Sequence, residues 1–274
     1  QRIDRWSAPT YNAPMRLIRE IRCYLGDGAD AVANSWAGTG RETAFAGYRV
    51  LRAVVEGPVN PRTGYLCDIK EIDRLLRTVV APSLRRGAED AGSLAAGLAE
   101  AFPKAAARCS PTTSLISLEL HVSPHTRLAV DQGGADMIRL TQSFEFSAAH
   151  RLFCAGLGDA ENRRLFGKCS NPHGHGHNYV LEVTVCGTPD GRTGTATDIG
   201  HLDRVVLERV IEPFDHKNLN VECAEFAVLN PSVENIARVI WGRLEGAFQG
   251  CRLASVRVWE TPKTCAEYAG EDEP

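Results

Sequence analysis

Two stretches of this 274-residue chain match each other at a constant offset of 130 residues, and that repeat restricts the fold more than any other feature. Gly57, Arg62, Thr63, Gly64, Asp68, Ile69, Asp73 and Arg74 reappear without a gap as Gly187, Arg192, Thr193, Gly194, Asp198, Ile199, Asp203 and Arg204. In each stretch a turn-forming run leads to an aspartate able to cap a helix. The match implies two copies of one fold, residues 1–126 and 137–274, with the Gly-rich segment 130–136 in the joint.

The second copy is the more legible. Residues 137–150 alternate as a strand, with Ile138, Leu140, Phe144 and Phe146 apolar, and a long loop follows over 151–174. A second strand runs from His175 to Val185. Asp198 caps a helix carrying Leu202, Val205, Val206 and Val210, and Ser232 caps another carrying Ile236, Ile240, Leu244 and Phe248. Residues 254–260 close as a strand, with further pairing expected around 263–269. The first copy follows the same plan: strands near 15–24 and 45–56, helices at 68–81 and 93–102, and a strand at 115–122. Hairpin-joined strands with grouped helices imply an α+β fold, an antiparallel sheet with two helices on one face of each copy.

Composition narrows the function classes. A net charge of −3 offers no basic footprint for nucleic acid. No apolar run approaches the roughly 20 residues that span a bilayer, and no secretory signal opens the chain. The nine cysteines are odd in number and widely spaced, which fits reduced thiols in the cytoplasm better than a disulfide framework.

The chemistry concentrates in Cys169 and the run His173, Gly174, His175, Gly176, His177. Residues i and i+2 of a strand share a face, so His175 and His177 present two imidazoles together. His150 ends the preceding strand and can add a third across the hairpin. Three histidines with one open position describe a catalytic zinc site. His173 lies before the strand register and is the ambiguous member. Cys169 follows a Gly-Lys pair, and a nearby cation favours the thiolate. Asp215-His216, in a polar turn, suits an oriented general acid/base. Glu260, at the end of an apolar strand, is placed to accept hydrogen bonds from an N–H-bearing heterocycle.

These residues, in this order, resemble the 6-pyruvoyl-tetrahydropterin synthase family, which has the tunnelling (T-) fold. The motifs are Phe146 to Leu152, Leu165 to Cys169, Asn171 to Tyr179, Asp215 to Asn220, Pro231 to Asn235 and Trp259 to Thr261. The resemblance implies that His150, His175 and His177 hold Zn2+ and that Cys169 is the catalytic thiol. Asp215 and His216 complete the proton-transfer set. Glu260 anchors the pterin, with Ser232 and Glu234 near the substrate. The implied reaction is a lyase step converting 7,8-dihydroneopterin triphosphate to 6-pyruvoyl-tetrahydropterin with release of triphosphate.

Within the same fold, 6-carboxy-tetrahydropterin synthase of the queuosine pathway is the alternative. Three residues separate its cysteine from the His-Gly-His pair, whereas five separate Cys169 from His175. A non-catalytic pterin-binding or assembly protein is the reading from another class. In the first copy the shifted positions carry none of these groups: Phe45 and Gly47 replace the histidine pair, and Arg85-Arg86 replaces Asp215-His216. Thr39 falls near the cysteine position, Asp27 at that of His150 and Val122 at that of Glu260. That copy is therefore expected to bind no metal and to act as scaffold. T-fold relatives close their sheets into rings, which implies a homo-oligomer of fused pairs.

Overall fold

The computed structural model describes residues 13–25, 47–85, 90–134, 137–190 and 192–270. Asp27, Thr39, Phe45, Arg86 and the side chain of Arg85 lie outside the described residues. The described chain parts into two compact units, one of 13–25, 47–85, 97–120 and 130–134, the other of 90–96, 121–129, 137–190 and 192–270. Among the described residues no helix is long and apolar enough to cross a membrane.

The first unit opens with β1 (Met15–Tyr24) and β2 (Tyr48–Gly57), an antiparallel pair in register from Met15 opposite Gly57 to Tyr24 opposite Tyr48. Asp68 caps α1 (Ile69–Leu75) by accepting from the Lys70 amide, which satisfies one of the amides a helix start leaves unpaired. The helix passes through a π-helical turn, Leu76–Val80, into α2 (Ala81–Arg85). Its stripe of Ile72, Leu75, Leu76, Val79, Val80 and Leu84 is buried, the i, i+3, i+4 pattern of a helix lying on a sheet. α3 (Ala91–Ala106), which belongs to this unit from Gly97 onward, and β3 (Ser114–His121), which belongs to it up to Leu120, follow, and β2 lies between β1 and β3 in the sheet.

The second unit begins its sheet with β4 (Thr126–Asp131), whose residues 126–129 pair antiparallel with β5 (Ile138–His150). β4 occupies much of what the sequence presents as a joint. Its alternation covers only six residues and ends against glycines, too short a pattern to stand out. After β5, the expected loop 151–174 contains α4 (Asp159–Phe166) and a 3-10 turn, Gly167–Ser170. α4 carries one buried residue, Asn162, so no apolar stripe marks it.

β6 (His175–Gly187) pairs with β5 along its whole length, His150 opposite His175 and Ile138 opposite Gly187. Asp198 caps α5 (Ile199–Val206), which continues through a π-helical turn, Leu207–Ile211, into α6 (Glu212–Phe214). β7 (Lys217–Asn218) pairs parallel with the end of β5, and α7 (Leu219–Glu222) follows. Ser232 caps α8 (Val233–Leu244), accepting from the Asn235 amide. β8 (Arg252–Thr261) pairs antiparallel with β6, and β9 (Thr264–Tyr268) pairs antiparallel with β8. The expected apolar stripes of the two long helical runs, Leu202, Val206 and Val210 with Ile236, Ile240 and Leu244, are fully buried.

A candidate metal and proton-transfer site

The inward alternation of β6 runs His175, His177, Tyr179, Leu181, so two imidazoles share a face with two fully buried side chains. Register places His150 opposite His175, and their ring centroids lie 4.6 Å apart. The ligand atoms of His150, His175 and His177 all lie within 4.8 Å of one another. The turn into β6 requires glycine at 174: its φ is +71°, and a Cβ there would meet the His150 carbonyl at 3.0 Å. One of the two glycines between the histidines therefore answers to the backbone.

His150 is fully buried, and its Nδ1 lies 2.6 Å from the Pro231 carbonyl. A carbonyl only accepts, so Nδ1 carries the proton and the neutral ring offers its lone pair at Nε2. Such a contact fixes the tautomer and orientation of a metal-binding imidazole. His150 Nε2 is 3.2 Å from His175 Nε2, and the buried Nε2 of His177 has no hydrogen-bond partner among the described residues. Three imidazoles converging on one point, two of them with a buried nitrogen that has no hydrogen-bond partner among the described residues (His175 Nδ1 and His177 Nε2), fit a cation that takes nitrogen ligands.

Burial pushes the His150 imidazole down to about 4 from its ordinary 6.5, and burial lowers His175 as well. Between those two values the unfolded chain takes up a proton that the folded chain does not. Stability is therefore complete above pH 6.5 and is lost as pH falls toward 4, on the order of 2–3 kcal/mol for His150. Urea midpoints of the metal-free protein should already decline between pH 6.5 and 5, before most carboxylates titrate. A flat profile over that window would contradict a buried neutral His150.

Tyr179 is the residue at this site that sequence reasoning passed over. Its side chain is fully buried, stacks on Phe146 at 4.9 Å between centroids, and leaves Oη without a hydrogen-bond partner among the described residues. Burial raises its phenol far above the usual range, with the charges of Glu260 and Cys169 adding to the effect. The signal was available: Tyr179 is the next inward position after His175 and His177.

The other candidates fall into distinct groups. Glu260 approaches the imidazoles, its Oε1 3.4 Å from His150 Nε2 and 3.7 Å from His177 Nε2. Cys169 is half-buried in the 3-10 turn, where its carbonyl accepts from the Leu152 amide. Asp215 and His216 form their own pair, with His216 Nδ1 2.7 Å from Asp215 Oδ2. The Ser147 amide donates to Asp215 Oδ1, and the His216 amide donates to the Ser147 carbonyl. Those bonds hold the Asp215 carboxyl below the usual range, the Ser147 amide first and the His216 side chain second. They also hold His216 at φ +58°, the one positive φ outside glycine among the described residues, a strain that persists only where neighbours enforce it.

An open cleft of about 600 Å³ is lined by Ser147, Gly176, His177, Asn178, His216 and Lys217. Among the described residues no hydrogen bond or ion pair joins Cys169 to Asp215 or His216. The Ser232 hydroxyl is engaged as a helix cap, and Glu234 is exposed in the first turn of α8. The run after His216 is partly structural, since Asn220 receives the Arg151 amide at Oδ1 and donates to the Arg151 carbonyl.

Residues 139–271 match the family model described as 6-pyruvoyl tetrahydropterin synthase. The chain is 41% identical over 133 residues to the 6-pyruvoyl tetrahydrobiopterin synthase of Homo sapiens, a match covering 48% of this chain and 92% of that one. It is 25% identical over 149 residues to the 6-carboxy-5,6,7,8-tetrahydropterin synthase of Rickettsia felis, covering 48% of this chain and 99% of that one. A solved structure of Caenorhabditis elegans 6-pyruvoyl tetrahydropterin synthase aligns with 49% of this chain and 96% of its own, at 35% identity and a TM-score of 0.46.

Proposed function

The chain belongs to the 6-pyruvoyl tetrahydropterin synthase family, and we propose that residues 137–274 form a zinc-dependent lyase unit converting 7,8-dihydroneopterin triphosphate to 6-pyruvoyl-tetrahydropterin with release of triphosphate. The observation that carries this reading is the convergence of His150, His175 and His177 within the matched segment. In this reading those three residues hold Zn2+, which when bound supplies Lewis-acid polarisation of the substrate's side-chain oxygens.

The chain's own groups divide the remaining work. Cys169 Sγ removes and returns a carbon-bound proton during tautomerisation. His216, oriented through Nδ1 by Asp215, exchanges a proton at Nε2 toward the cleft it shares with His177. Glu260 accepts from the pterin N–H groups, and Glu234 with Ser232 lies near the substrate. Because Asp215 and His216 make no contact with Cys169 within the described residues, a homo-oligomer that brings the two groups together from different copies suits the chemistry. Residues 1–126 act as a degenerate T-fold unit without a metal site, and the protein works in the cytoplasm. Support for the duplication lies in the aspartate-capped helix with a π-helical turn that each unit carries.

The matched 6-carboxy enzyme keeps a second product in view. His173, the residue that would shorten the cysteine-histidine spacing, is exposed and lies before β6 begins, which favours the pyruvoyl reaction. Incubating the purified zinc-loaded protein with 7,8-dihydroneopterin triphosphate tests the proposal. Triphosphate and a 6-pyruvoyl product are expected. A 6-carboxy product would move the assignment to the alternative, and absence of triphosphate release would overturn the enzyme reading.

A further inference from the structure

Glu260 stands closer to the imidazoles than a residue reserved for a pterin ring needs to be. It continues the inward alternation of β8 after Val256 and Val258, both fully buried. It lies where the β8–β9 register shifts, between Trp259 and Thr261, and such irregularities re-aim side chains at strand ends. Its side chain is 20% exposed and turned toward His150 and His177.

The 3.4 Å contact with His150 is not a hydrogen bond. The Pro231 carbonyl holds the His150 proton at Nδ1, so Nε2 presents a lone pair to a carboxylate oxygen. Two acceptors facing each other at that distance repel unless a cation lies between them. Three of the separations come close to what one requires, while the donor atoms of the three imidazoles spread over as much as 4.8 Å and would draw together around it. Adjacent donors around a tetrahedral Zn2+ with bonds of about 2.0–2.2 Å stand roughly 3.3–3.6 Å apart. The contacts here are 3.2 Å for His150–His175, 3.4 Å for His150–Glu260 and 3.7 Å for His177–Glu260.

We propose that Glu260 is a fourth, displaceable ligand of the metal, bound to it while the site holds no pterin and released when a pterin enters. The inference rests on the reading of the histidine triad as a metal centre and of Glu260 as the pterin's acceptor, and it joins those two roles in one side chain. A carboxylate this close to the sheet interior needs a cation or hydrogen-bond donors in every state. The cation supplies one in the resting protein, and the pterin N–H donors supply the other. The exchange opens a coordination position only when substrate is present, so the resting centre is closed to adventitious ligands.

Cobalt(II) substituted into the full-length protein reports its donor set through visible absorption, without any turnover. Glu260→Gln is expected to shift the wild-type bands and to weaken Co2+ binding about tenfold or more in competition with a chelator. Neopterin, its binding followed by its own fluorescence, is expected to move the wild-type bands toward those of Glu260→Gln. A Glu260→Gln spectrum and affinity identical to wild type overturn the proposal, as do wild-type bands that saturating neopterin leaves unmoved. His177→Ala in the same titration keeps the two readings apart. If it abolishes the bands while Glu260→Gln leaves them intact, only the fourth ligand is lost. If His177→Ala also binds as wild type does, the triad itself is not the metal centre.

Discussion

Exchanging His177 for alanine is expected to reduce bound zinc from about one equivalent per chain to none, and triphosphate release with it. The reasoning begins with coordination. The variant loses one of the three nitrogen donors of the proposed centre, and loss of even an outer-shell partner costs about 10–100-fold in affinity. The fold should tolerate the change. His177 is 19% exposed, and its Nε2 makes no hydrogen bond among the described residues. His150 would be a poorer choice, because it is fully buried and alanine there would strand the Pro231 carbonyl. The measurement pairs metal analysis with thermal melts at and without added zinc. Wild type gains stability with the metal by linkage, whereas the variant's melting point should not move. A variant that retains one zinc at wild-type affinity would remove His177 from the site.

The parts of this site that were visible beforehand are those governed by local periodicity. His175 and His177 share a face because a strand alternates, and His150 meets His175 because the hairpin pairs the end of β5 with the start of β6. The helix caps Asp68, Asp198 and Ser232 were equally legible, since an N-cap depends on two or three neighbouring residues. What stayed hidden depends on distant closure or on backbone atoms. The carbonyl that orients His150 belongs to Pro231, 81 residues away, and a carbonyl has no side-chain signature. The approach of Glu260 to the imidazoles follows from β8 pairing with β6 and from the shift in the β8–β9 register, neither of which leaves a pattern in composition. α4 escaped for another reason: it is held by Asn162, whose side chain receives the Cys154 amide and donates to the carbonyls of Cys154, Leu157 and Gly158. A helix secured by one buried amide has no apolar stripe to detect. The motif from Asp215 to Asn220 holds residues of two kinds. Asp215 and His216 form an exposed pair, while Asn218 and Asn220 tie the surrounding turn together.

Replacing Cys169 with alanine should separate proton transfer from metal binding. The backbone of Cys169 is anchored through its carbonyl to the Leu152 amide, and the neighbouring Ser170 carbonyl accepts from Arg151 Nε. Neither bond involves the thiol, so the 3-10 turn should survive the substitution. Sγ is not within hydrogen-bond reach of the histidine nitrogens among the bonds of the described residues, so zinc content should stay near one per chain. Turnover is a different matter. A positioned acid/base group typically contributes 10²–10⁴-fold, and no second thiol shares the 3-10 turn to replace it. Triphosphate release by Cys169→Ala is therefore expected to fall by about 10³-fold, with bound zinc and melting temperature unchanged. Asp215→Asn provides the internal comparison, because it leaves Cys169 intact and weakens only the orientation of His216, so its loss should be smaller. Release by Cys169→Ala at the wild-type rate would take the thiol out of the mechanism and leave the work to the Asp215–His216 pair, whose histidine lines the cleft.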